Sequence, residues 1–95
     1  MTARFLVHTT FAIQSRQIFV TDGSIIEGTV RQGQRVASPI GLSAPVEAVE
    51  FVLPKPGVPE RPALCFRFRD QDELAQWQAL DLVGKTLELT DADAI

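Results

Sequence analysis

From Arg4 to Gln14 the chain alternates strictly. Phe5, Val7, Thr9, Phe11 and Ile13 occupy one parity, and Arg4, Leu6, His8, Thr10, Ala12 and Gln14 the other. Side chains of a strand point to opposite faces in turn, so this period of two, rich in β-branched and aromatic residues, predicts a β-strand. Its length exceeds the usual five or six residues, which predicts a bend or a change of sheet partway along.

The same rhythm recurs between turn signals. Gln17–Thr21 reads as a short strand and Asp22-Gly23 as the turn after it, because glycine tolerates positive φ. Ser24–Val30 resumes as a strand, with Gly28 placed for a bulge or a close backbone contact. Arg31-Gln32-Gly33 turns, Gln34–Ser38 is a strand stopped at Pro39, Pro39–Pro45 is loop, and Val46–Leu53 is a further strand. Pro54–Pro62 holds four prolines and Gly57, a density that excludes a helix or a central strand and predicts a stiff surface loop. Ala63–Arg69 alternates again, Leu64, Phe66 and Phe68 opposing Cys65, Arg67 and Arg69. The one helical signal is Asp70 with Glu73 at capping-box spacing, followed by Leu74 and Trp77 on a shared face, so a helix is expected over about 71–78. It is expected to lay Trp77 over an open end of the sheet. Lys85–Thr90 is the last strand, with Leu87 and Leu89 inward, and Asp91–Ile95 is expected to fray.

These elements describe one all-β domain over the 95 residues, ordered over about 4–90, with no repeat or low-complexity tract. Six or seven short strands and one short helix suit a small antiparallel sandwich or a closed barrel, and closure removes exposed strand edges.

Nine Lys and Arg stand against twelve Asp and Glu, a net charge of −3. That total argues against nucleic-acid binding through overall charge. Residues 1–45 hold four arginines against two acids, net +2, and residues 46–95 are net −5, which leaves room for a local basic face. A lone cysteine forms no internal disulfide and fits a reducing, cytoplasmic setting. One His and one Cys do not assemble a zinc site. No cofactor motif is present, no run of apolar residues is long enough to cross a membrane as a helix, and the N-terminus does not read as a secretory leader.

A series of short motifs is more specific in order than singly: Phe11-x-Ile13-x-x-Arg16, Phe19-Val20-Thr21-x-Gly23, Glu27-Gly28, Val30-Arg31-x-Gly33, Val49-Glu50-Phe51 and Asp81-Leu82-Val83-Gly84-Lys85-Thr86-Leu87. The series resembles the second, β-barrel domain of translational GTPases of the elongation factor Tu type, and covers most of residues 5–90. The resemblance implies a free-standing six-stranded, closed antiparallel barrel. It also implies a non-enzymatic binding module whose partner is a protein or a translation-associated ribonucleoprotein surface. It does not imply GTP hydrolysis, because the chain has no phosphate-binding loop. The departures are Ser15 and Gln17 in place of the glycines that flank the family's turn arginine, one extra residue near Asp22, and the proline-rich loop.

Arg16 occupies that turn position. With Arg31 and Arg35, which flank the next turn, it forms the candidate partner-binding set. The structural alternative for Arg16 is a bond to turn carbonyls or an ion pair with Asp22 or Glu27. Cys65 shares a parity with Arg67 and Arg69, and a thiol-dependent or redox protein is the alternative function. It requires a base, and His8 is the sole histidine. A structural subunit of a homo-oligomer is the third reading. Asp70, Asp72 and Glu73 are expected to serve the helix N-terminus. Trp77 and the phenylalanines are expected to fill the core.

Overall fold

The computed structural model describes residues 2–38, 42, 44–52, 56–57 and 60–91. The strands are β1 (Thr2–Ile13), β2 (Ile18–Glu27), β3 (Arg35–Ser38), β4 (Val46–Val52), β5 (Arg61–Arg67) and β6 (Thr86–Thr90). A single 3-10 turn, Gln14–Arg16, joins β1 to β2, and the helix α1 (Gln71–Ala79) lies between β5 and β6. They form one sheet in the order β3-β6-β1-β2-β5-β4, with every pairing antiparallel.

The sheet is an open half-barrel, which corrects the expectation of a closed one. Its edge strands β3 and β4 meet at one end only. Arg35 bridges Pro45, the Gly33 N–H donates to the Val46 carbonyl at 2.9 Å, and the Val46 N–H donates to the Gln34 carbonyl at 2.8 Å. That register would set the rest of β4 against residues 28–34. There the chain turns instead, with Gly33 at φ 92, so the seam does not zip further. Gln34 holds this turn in place. It is buried, accepts from the Arg31 N–H at 2.9 Å and donates to the Thr29 carbonyl at 3.1 Å.

The core lies on the inner face. Phe5 and Val7 of β1, Phe19 of β2, Leu64 and Phe66 of β5, and Leu87 and Leu89 of β6 are buried there, joined by Phe68. Leu74 and Trp77 of helix α1 are buried in this core, with Trp77 against Phe19 and Phe66. The Asp70 carboxylate accepts the Glu73 N–H at 2.9 Å and caps the helix. The capping box is not completed in the usual way. The Glu73 side chain reaches one residue further back, accepting the Arg69 N–H at 2.9 Å and the Arg69 guanidinium at 3.0 Å.

Strand β1 changes face at His8. Val7 pairs with Gly23 and Thr9 with Asp22, so His8 is an extra residue, a bulge. Before it, Phe5 and Val7 face the core. After it, Ala12 packs toward the core while Phe11 and Ile13 face outward. The predicted bend is therefore real, but Phe11 does not join the core and is 42% exposed.

The bulge also explains Gly23. Asp22-Gly23 is not a turn: it lies within β2, which runs unbroken through the stretch where two strands were expected. A Cβ at Gly23 would overlap the Leu6 carbonyl, because the bulged backbone of β1 presses against it. A close backbone approach is found at Gly23, and Gly28 follows the end of the strand at φ 76.

Residues 39–41 and 43 of the first predicted loop, 54–55 and 58–59 of the second, Leu53 of the predicted β4, and the predicted frayed end beyond Asp91 lie outside the described residues. Within the proline-rich stretch, Arg61 and Pro62 open β5, Pro62 opposite Phe51. A proline near a strand start displaces little of the ladder, so its exclusion from that strand does not hold.

Candidate binding groove

The outer face of the sheet carries a second apolar cluster, separate from the core. Ile18 and Val20 of β2 and Ala63 and Cys65 of β5 are buried there, with Ile13 and Ala48 packed against them. Cross-strand pairing builds it in rows. Phe11, Val20, Cys65 and Ala48 form the middle row. Ile13, Ile18 and Arg67 form the row next to the 3-10 turn, and Thr9, Asp22, Ala63 and Glu50 the row at the other end. Over this floor lies a groove of about 370 Å³, walled by Phe11, Arg16, Glu47, Glu50 and Arg67. Its size falls within the usual range of ligand sites.

The rim is charged at both ends. Arg16 extends from the 3-10 turn and is exposed. Among the described residues it forms no ion pair: Asp22 is 3.7 Å from Arg61 instead, and Glu27 is the register partner of Arg4. The turn holds because Gln17 takes φ 56, accepts the Phe68 N–H on its carbonyl at 3.0 Å and donates from its side chain to the Arg69 carbonyl at 3.2 Å. Arg67 lies 3.6 Å from Glu47, so those two charges largely offset each other. Glu50 is exposed at the far end. Asp22, nearly buried in the same row, has a carboxylate oxygen with no hydrogen-bond partner.

Cys65 lies at the centre of the floor. Burial above all, and then the Glu50 carboxylate, push its thiol above the ordinary value, while Arg16 pulls in the opposite direction. The His8 ring bonds the Ser24 hydroxyl at 2.9 Å and does not line the groove. The base that a Cys65 nucleophile requires is therefore not supplied by His8.

The three candidate arginines do not line one pocket. Arg16 lines the groove. Arg35 lines a separate shallow depression with Arg67, Arg69 and Glu73. Arg31 lines neither, and its guanidinium lies 3.6 Å from Asp91, beside the Gln34 clasp. Asp70 and Glu73 serve the helix start, and Trp77 with Phe5, Phe19, Phe66 and Phe68 fills the core, as expected, while Phe51 is 65% exposed. Among the described residues no group of three His, Cys, Asp or Glu could hold a metal, and no helix is long and apolar enough to cross a membrane.

Sequence reasoning missed Phe11, Glu47, Ala48 and Glu50 as groove residues. A signal existed in the apolar triplets Ile18-Phe19-Val20 and Leu64-Cys65-Phe66. Consecutive apolar residues on adjacent strands mean that both faces of the sheet are apolar there. Comparison with protein-family models, curated proteins and solved structures finds no match to this chain.

Proposed function

We propose that this chain is a cytoplasmic, non-enzymatic binding module whose partner is a protein seated in the outer-face groove. One observation carries the reading: a second apolar cluster, Ile18, Val20, Ala63 and Cys65, lies outside the core as the floor of a groove framed by charges of both signs. Apolar floors with a few placed polar groups are typical of binding sites. A rim of mixed sign on a chain of net charge −3 favours a protein over a nucleic acid, which requires excess positive charge. The motif series, which resembles the second domain of translational GTPases, makes translation-associated proteins the first partners to test.

The test is photo-crosslinking in the native host, with a benzophenone amino acid at Phe11 and, as control, at exposed Val83. A discrete protein adduct from position 11 only, lost when Ala48→Trp fills the groove, is the expected result. Adducts to nucleic acid, to a second copy of this chain, or equally from both positions would overturn the reading.

A further inference from the structure

The two ends of the groove carry opposite charge, and its end rows lie four strand residues apart. Arg16 stands beyond the row of Ile13, Ile18 and Arg67; Glu50 stands in the row of Asp22 and Ala63. From Ile18 to Asp22 is four residues of strand, about 13 Å at about 3.3 Å each. Between the ends the floor is apolar, with Cys65 in the middle row, and Glu47 and Arg67 stand on the wall. Arg67 and Glu47 are already matched, and Asp22 has Arg61 nearby. Arg16 and Glu50 are thus the charges left for a ligand: among the described residues neither side chain forms an ion pair or hydrogen bond.

We infer that the groove takes an extended peptide segment of polar charge pattern, with an acidic side chain on Arg16, an apolar side chain over Cys65 and a basic side chain on Glu50. Residues i, i+2 and i+4 of an extended chain share one face, so the segment reads acidic-x-apolar-x-basic in either chain direction. The middle side chain covers Val20, Cys65 and Ala48, while the end charges select against segments of uniform sign. This rests on the binding-module reading and names the chemistry of its partner.

The experiment uses three fluorescent nonapeptides that share a central Leu flanked by Ser. At the positions two before and two after it they carry Glu and Lys, Glu and Glu, or Lys and Lys. Anisotropy is measured with wild type, Arg16→Glu and Glu50→Lys. Protection of Cys65, the only thiol, from a small maleimide locates the peptide. Wild type is expected to prefer the Glu/Lys peptide over both others by about three- to tenfold, the scale of exposed ion pairs. Arg16→Glu shifts the preference to Lys/Lys and Glu50→Lys shifts it to Glu/Glu. Equal binding of the three peptides by wild type, unchanged preference in the variants, protection of Cys65 by an oligoribonucleotide instead, or no peptide binding would overturn the inference. The Phe11 crosslink then decides separately whether the binding-module reading survives.

Discussion

The Trp77 indole meets the Phe66 ring nearly edge-on, with centroids 6.4 Å apart and planes at 73°. A second contact, to Phe19 at 5.8 Å and 54°, locks the same indole from the β2 side. Through these rings α1 is pinned across β2 and β5, the two strands that also make the groove floor. Trp77→Ala should lower stability by about 3–5 kcal/mol, because the site has rings on two sides and collapses poorly. Urea unfolding followed by circular dichroism measures it, and a loss under about 1 kcal/mol would mean that the helix is not anchored this way.

Gly23 and Gly33 separate two reasons for a glycine. Gly33→Ala meets no atom but keeps φ 92, so about 1–2 kcal/mol is expected. Gly23→Ala drives a methyl into the Leu6 carbonyl and into the bulge at His8. It should cost more than Gly33→Ala and should alter amide shifts along both β1 and β2. Equal thermal midpoints for the two variants would show that the strands part without cost.

Phe11 and Phe66 should respond unequally to truncation. Phe66→Ala empties a core site and should cost about 3–5 kcal/mol. Phe11→Ala removes a ring already 42% exposed and should cost about 1 kcal/mol. If Phe11→Ala unfolds the chain at room temperature, the change of face at His8 is wrong.

Cys65 gives stability a dependence on alkaline pH. Burial, reinforced by Glu50 and opposed by Arg16, raises its thiol pKa in the folded chain. The folded state therefore holds this proton after the unfolded chain has released it. The contribution is complete below the unfolded thiol value, about pH 8.5, and is lost as pH rises through that value toward the folded one. Urea midpoints of wild type should fall across that window, and Cys65→Ala should flatten this fall. Alkylation of Cys65 near neutral pH should likewise be slower than that of an unfolded control. A midpoint that rises with pH there would have the wrong sign.

The Asp70 cap should be worth about 0.5–2 kcal/mol, read as the loss in Asp70→Ala. Asp70→Asn, which keeps an acceptor, should recover most of it.

Several elements were legible because their causes are local. The alternation of Leu64, Phe66 and Phe68 against Cys65, Arg67 and Arg69 matches the burial of the first three. Asp70 caps α1, the turn at 31–33 lies where Gly33 permits positive φ, and Leu87 and Leu89 face inward, each from neighbours within a few residues. Gln17 shows the limit of such reading: it holds φ 56 without glycine's freedom, supported by Phe68 and Arg69, which follow β5 and are distant in sequence.

The groove was less legible. Arg16 was singled out and lines it, but Arg31 and Arg35 lie elsewhere. Phe11, Glu47 and Glu50 were invisible as a set because two strands distant in sequence contribute them. Cys65 stood out as chemistry, yet its surroundings hold the thiol neutral rather than activating it.

What the linear chain determined alone was the identity of most strands, one capped helix and a core of Phe, Leu and Val. Periodicity and capping act over a few bonds, so neighbouring residues suffice to express them. Whether the cylinder closes, which face Phe11 takes and which charges share a rim were decided only when distant strands met. Those outcomes depend on cross-strand register. A single inserted residue, His8 between the pairs Val7–Gly23 and Thr9–Asp22, reverses every later side chain of β1, and one turning segment at 31–33 leaves β4 without a partner along most of its edge.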